Sequence, residues 1–200
     1  MLGAGGLAGA PTDWSTGAAF GDLDGDGDLD AYVVNYLAHD LSHPMLGGRP
    51  CRWLGCEVPC GPKGLDAQGD RLYLNDGRGA FTEVTARTAV GRARPAYGFQ
   101  PVFSDLDGDG DLDLFVSNDS VPNTFLVNDG VDEDGMPLLR DLAMRSGLAL
   151  SDSGKEQAGM GVAVEDVDGD GRFDIVMTNF SREPNALVRN ASTPRTGPIF

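Results

Sequence analysis

Asp105-Leu-Asp-Gly-Asp-Gly-Asp-Leu-Asp113 places a carboxylate at every second position of a nine-residue stretch, with glycine at its fourth and sixth positions. The spacing recurs at Asp22-Leu-Asp-Gly-Asp-Gly-Asp-Leu-Asp30 and at Asp166-Val-Asp-Gly-Asp-Gly-Arg-Phe-Asp174. These windows hold five, five and four of the 31 acidic residues, so the acidity is gathered rather than spread. Like charges packed this closely repel unless a cation sits among them.

The flanks repeat as well. Ala18–Phe20, Pro101–Phe103 and Val162–Val164 precede the loops, and Ala31–Val34, Leu114–Val116 and Ile175–Met177 follow them. Five residues after the last Asp stands an asparagine: Asn35, Asn118 and Asn179. A second shared segment follows, Leu72–Asn75, Phe125–Asn128 and Leu187–Asn190. Short apolar runs bounded by Gly, Asp and Asn read as strands. Asn75-Asp-Gly77 and Asn128-Asp-Gly130 read as hairpin turns, with Phe81–Thr85 returning from the first. The unit is strand, acidic loop, strand, connection, strand, turn, fourth strand.

The loops start 83 and 61 residues apart. The longer spacing marks an insertion of about thirty residues, roughly 39–68, and a smaller one lies near 131–137. Four strands in a unit of about 60 residues fit one propeller blade, whereas solenoid repeats run to about 20–45. The expected fold is therefore all-β, a β-propeller of four-stranded blades with about three blades over residues 1–200. A closed ring needs about 4 to 8 blades, so the chain is expected to be a segment of a longer propeller.

Alternating Asp residues in a tight turn suit calcium, a hard cation that takes six to eight oxygens. Glycine at the sixth position allows the left-handed backbone that carries the chain around an ion. The side-chain ligands expected are Asp22, Asp24, Asp26 and Asp30; Asp105, Asp107, Asp109 and Asp113; and Asp166, Asp168, Asp170 and Asp174. Asp28, Asp111 and Arg172 are expected to lend backbone carbonyls, since a position that accepts Arg is no carboxylate ligand. The loop begins like an EF-hand, but it has Asp at position nine and strand-like flanks. Three Ca2+ ions with a structural role are expected. Magnesium fits less well, because it demands stricter geometry and keeps its water.

A net charge of -16 disfavours nucleic acid and anionic membrane surfaces as partners. No stretch reaches the roughly 18–20 apolar residues of a membrane span, and Met1–Ala10 lacks the Lys or Arg of a secretory signal. No nucleophile elbow, phosphate-binding loop or dinucleotide fingerprint is present. His39-Asp-Leu-Ser-His43 is followed at once by Pro44, carries Asp where a zinc protease helix needs Glu, and is not read as a zinc site. The acidic loops repeat one pattern, whereas paired catalytic carboxylates need different environments. No enzyme is expected. Trp14, Trp53, Tyr36 and Tyr97 are stacking candidates for a sugar, with Trp14 and Tyr97 expected to pack blades instead. Asn118-Asp-Ser, Asn179-Phe-Ser and Asn190-Ala-Ser are glycosylation sequons.

Two segments, Gly21–Asp30 and Leu72-Tyr-Leu-Asn-Asp-Gly-Arg-Gly-Ala-Phe-Thr-Glu-Val-Thr85, resemble the FG-GAP/VCBS repeat family, whose blades also build integrin α-subunit propellers. Together with Cys60-Gly-Pro-Lys-Gly-Leu65 they are most similar to the ASPIC/UnbV and cartilage acidic protein group. The resemblance implies a seven-bladed parent, a secreted, periplasmic or cell-surface location, and adhesion to a protein or polysaccharide. It also implies that the calcium loops lie on the face opposite the main ligand surface. An alternative role is a non-catalytic propeller beside an enzyme acting on polysaccharide. Cys51 and Cys60 resemble the family's cysteine pair, which implies a disulfide; from the residues alone Cys51–Cys56 and Cys56–Cys60 stay open.

Overall fold

A computed structural model describes residues 5–38, 51–58, 61–193 and 195–200. It is all-β apart from one helical turn and two short 3-10 turns. The first sheet contains β1 (Ser15–Gly21), β2 (Asp30–Asn35), β5 (Arg71–Asn75) and β6 (Phe81–Glu83), hydrogen-bonded in that order. The second contains β7 (Gly98–Ser104), β8 (Asp113–Asn118), β9 (Thr124–Val131) and β10 (Pro137–Asp141), again in chain order. The third contains β11 (Gly159–Glu165), β12 (Asp174–Asn179) and β13 (Ala186–Val188). All pairings in the three sheets are antiparallel. The four-stranded meanders are those of propeller blades; among the described residues the third sheet has three strands and no ring closes.

Repetition extends to the register. Gly21 pairs with Asp30, Ser104 with Asp113 and Glu165 with Asp174, so each acidic loop closes the same hairpin at the same end. The sheets stack face to face through their inner and second strands. Successive side chains on a strand point to opposite faces. On β8, Leu114 and Val116 therefore enter the core shared with the first sheet, and Phe115 enters the core shared with the third. A strand covered on both faces reads as an unbroken apolar run, which explains Leu114–Val116.

The inner strands also meet directly. Thr16 Oγ1 donates to the Gly98 carbonyl (2.7 Å), and Ser117 Oγ donates to the Met160 carbonyl (2.7 Å). The Gln100 side chain donates to the Val162 carbonyl and accepts from its N–H (3.3 and 3.1 Å). At Gly98 a Cβ would stand 2.1 Å from Val34 Cγ1, so this crossing of sheets requires glycine.

One expected turn needs correction. Asn128-Asp-Gly130 is not a turn. It lies within β9, whose hairpin turns later at Asp132–Met136, where the Asp132 N–H donates to the Met136 carbonyl (2.9 Å). The register shifts between Pro137 and Leu139, and Gly130 takes a φ of 88°, so a bulge absorbs the extra length. Asn75-Asp-Gly77, with no extra residues behind it, turns as expected. The insertion holds a hairpin of its own, β3 (Cys51–Trp53) and β4 (Cys56–Val58). Its base is tied to the first sheet by a bridge between Leu37 and Ala67. Cys56 is a free, exposed thiol, which sets aside both pairings that use it. Cys60, the partner expected for Cys51, lies outside the described residues, as do His39, His43 and the side chain of Trp53.

The open faces of the stack carry apolar residues. Leu23 and Leu106 are 2% and 0% exposed where a following sheet covers them, but Val167, at the same place in the third repeat, is 49% exposed. Leu72 and Phe125 are both 0% exposed, against 53% for Leu187.

Candidate metal centres

Each loop is shaped by its own carboxylates. Oδ2 of the first Asp accepts the N–H of the sixth residue: Gly27 to Asp22 (3.1 Å), Gly110 to Asp105 (3.1 Å) and Gly171 to Asp166 (2.9 Å). Oδ1 of the fifth accepts the N–H of the seventh: Asp28 to Asp26 (3.0 Å), Asp111 to Asp109 (3.0 Å) and Arg172 to Asp170 (2.9 Å). These bonds coil the chain tightly enough that the fourth and sixth residues both need positive φ: 75° and 97° at Gly25 and Gly27, 83° and 103° at Gly108 and Gly110. Any other residue there would cost about 1–2 kcal/mol.

The ninth residue is the clamp. Asp30 accepts from Leu23 N–H (2.9 Å) and Asn75 N–H (3.0 Å). Asp113 accepts from Leu106 (2.9 Å), Asp107 (3.2 Å) and Asn128 (3.0 Å). Asp174 accepts from Val167 (3.3 Å) and Asn190 (2.8 Å). All three clamps are buried, and each joins the loop's start to the third strand of its sheet or, for Asp174, to Asn190 just beyond it.

Carboxylate oxygens of Asp22, Asp24 and Asp30 lie within 4.8 Å of one another, as do those of Asp105, Asp107 and Asp113, and those of Asp166, Asp168 and Asp174. The first, third and ninth positions are thus gathered as a cation requires. Asp26, Asp109 and Asp170 stand outside these groups, occupied with the turn; Asp28, Asp111 and Arg172 also stand outside. Two oxygens point to what the groups hold. Asp22 Oδ1 and Asp107 Oδ1 are buried without a hydrogen-bond partner, as are Asn118 Oδ1 and Asn179 Oδ1 at the other end of the sheets; at the two aspartates, among gathered carboxylates, an ion would complete them. The donors are hard oxygens, which fits calcium. In the third loop, Arg189 Nη1 sits 3.0 Å from Asp168 Oδ2, and the Arg172 guanidinium bonds Asp170.

The electrostatics agree. Burial, reinforced by neighbouring carboxylates, pushes Asp30 and Asp107 up to about 6 and Asp113 up to about 7. Asp70, buried and bonded by Asn35 N–H and Tyr32 OH (both 2.8 Å), also rises to about 6. A carboxyl whose pKa is raised by folding binds more protons in the folded than in the unfolded chain. The metal-free protein should therefore lose stability as pH rises from about 4 through 7. Asp166 is held below its usual range by the N–H of Gly171, and it titrates below this window. Calcium needs the ionised carboxylates, so its stabilisation should grow as pH rises. Melting curves at pH 5 and pH 8 check both trends: in EDTA the midpoint is lower at pH 8, and the gap between calcium and EDTA is wider there. A metal-free midpoint that climbs from pH 5 to pH 8 would contradict the assignment.

The opposite end of the sheets carries a second threefold pattern that spacing analysis missed. The N–H of Asn35, Asn118 and Asn179 donates to Asp70 (2.8 Å), Asn123 (3.0 Å) and Asn185 (3.2 Å). The signal was present: each acceptor stands five residues before Asn75, Asn128 or Asn190. Beside it lies an aromatic cluster. Tyr36 makes edge contacts with Trp14, Tyr97 and Phe99 at centroid distances of 5.9, 6.1 and 5.5 Å, and its hydroxyl donates to Asp119 (2.7 Å). Tyr97 is packed, as expected, but Trp14 is 38% exposed. Two of the sequon asparagines, Asn118 and Asn190, are buried and closed to modification.

The fold and the loops together define a protein of stacked antiparallel blades, each hairpin carrying an acidic cation loop. In keeping with this, residues 64–116 match the family described as an FG-GAP-like repeat. That stretch runs from the end of the insertion through the second acidic loop into β8. The chain matches no curated protein.

Proposed function

We propose that the chain is a calcium-stabilised, non-enzymatic blade unit of an exported or cell-surface protein, recognising a protein or polysaccharide through the end of the blades opposite its metal loops. The observation that carries this reading is the threefold recurrence of one loop geometry that gathers three carboxylates, two of the loops also holding a buried, unpartnered carboxylate oxygen. By this reading the ions brace the blades. That leaves recognition to the other end, where Trp14 is accessible beside Tyr36 and a groove of about 680 Å³ runs past Arg94, Tyr97, Met144 and Glu156. The exposed Val167 and Leu187 support further blades in the parent, seven in all by resemblance to the ASPIC/UnbV and cartilage acidic protein group. The same resemblance supports a Cys51–Cys60 disulfide.

Arrays of neutral glycans and of extracellular proteins, probed with the chain in calcium and in EDTA, test the recognition half. The expected result is a signal that requires calcium and falls for Trp14→Ala. No bound glycan or protein in calcium would remove that half of the reading.

A further inference from the structure

The three loops are joined by a continuous run of hydrogen bonds. In the first loop, Leu23 gives its N–H to Asp30 (2.9 Å), while its carbonyl accepts from Asn128 Nδ2 of the second sheet (2.8 Å). Asn128 gives its own backbone N–H to Asp113, the clamp of the second loop (3.0 Å). Asp113 accepts from Leu106 N–H (2.9 Å), and the Leu106 carbonyl accepts from Asn190 Nδ2 of the third sheet (2.7 Å). Asn190 gives its backbone N–H to Asp174, the clamp of the third loop (2.8 Å). Every residue in the run is at most 4% exposed.

The Leu23 carbonyl belongs to the peptide that leads into Asp24, and the Leu106 carbonyl to the peptide that leads into Asp107. Each asparagine therefore fixes the backbone of a metal-cluster residue in one loop while it is itself fixed by the clamp of the next. Among the described residues, Asn75, the first of the series, bonds only within its own sheet and its turn: to Asp30, the Leu29 carbonyl, and the N–H groups of Asp76 and Gly79.

We propose that calcium binding at the three loops is coupled, with Asn128 joining the first loop to the second and Asn190 joining the second to the third. This rests on the calcium reading above. An ion that orders one loop also orders the peptide its neighbour needs, so the neighbour loses less entropy on binding. The coupling is reciprocal, as any binding linkage must be. Asn128 and Asn190 are positioning residues and touch no ion.

The test is a calcium titration of the chain at 0.15 M salt followed by NMR. The amides of Gly27, Gly110 and Gly171 report the loops separately, since each bonds to the first carboxylate of its own loop. Asp107→Asn disables the second loop. Coupling predicts that the Gly27 and Gly171 midpoints then move to about 5-fold higher calcium. In an Asn128→Ala background the shift at Gly27 disappears while that at Gly171 remains. A loss of negative charge acting through space would survive Asn128→Ala. Midpoints of Gly27 and Gly171 unmoved by Asp107→Asn, which needs no change in the asparagines, would overturn the coupling while leaving the calcium sites standing. No calcium response at any of the three glycines would overturn the calcium reading itself.

Discussion

Calcium at about a hundred times its dissociation constant is expected to raise the melting temperature of this chain by roughly 15–30 °C. At that excess each site contributes about 2.7 kcal/mol, so three sites give about 8 kcal/mol, and for a domain of this size each kcal/mol moves the midpoint by about 2–4 °C. The effect is large because the metal-free loops are under electrostatic stress, with Asp30, Asp107 and Asp113 all pushed up by burial and by other carboxylates of their own loops. The third loop should respond least, since Arg172 and Arg189 already stand against two of its carboxylates. Magnesium should give a smaller shift at equal concentration, because its octahedral demand is harder to meet from a nine-residue loop. Scanning calorimetry in calcium, magnesium and EDTA checks the first and last of these, and the same scans on Asp107→Asn and Asp168→Asn, where the latter should lose less of the calcium shift, check the second.

Asp113→Ala is expected to cost about 3–5 kcal/mol in calcium, more than any other loop substitution. The carboxylate is 0% exposed and accepts the N–H groups of Leu106, Asp107 and Asn128. Each buried donor left without a partner costs about 1–3 kcal/mol, less what local relaxation recovers, and the ion is lost as well. Asp111→Ala is the control. Asp111 is exposed, its side chain lies outside the gathered carboxylates, and its substitution should stay within about 0.5 kcal/mol of the parent while leaving the calcium response intact. Urea unfolding of both variants, with and without calcium, reads the contrast. Equal losses for the two would show that the clamp role of the ninth position is misassigned.

Much of this was legible in the sequence because it is local. Three acidic windows in register, each between apolar runs, place the hairpins and the carboxylates, because chain neighbours decide both. Arg172 marks the seventh position as one that needs no carboxylate, and Asp28 and Asp111 stand outside the gathered groups. At the fifth position spacing says less: Asp26, Asp109 and Asp170 alternate with the others and also bond the backbone of the turn. Asn128-Asp-Gly130 failed as a turn because residues beyond Val131 lengthened the hairpin, and a glycine with positive φ serves a bulge as readily as a turn. What lay out of reach is the contact between sheets. Asn128 meets Leu23 across 105 residues and Asn190 meets Leu106 across 84, and no local period encodes how successive sheets stack. The recurrence of Asn75, Asn128 and Asn190 was visible; the bonds of Asn128 and Asn190 to the preceding loop were not.

The central claim is that three loops each hold one calcium ion. Equilibrium dialysis of the metal-free chain against calcium at 0.15 M salt measures it most directly. The account predicts three ions per chain, two for Asp107→Asn, and one when Asp24→Asn is added. Fewer than one ion bound at millimolar free calcium, or a stoichiometry of three that survives both substitutions, would contradict it.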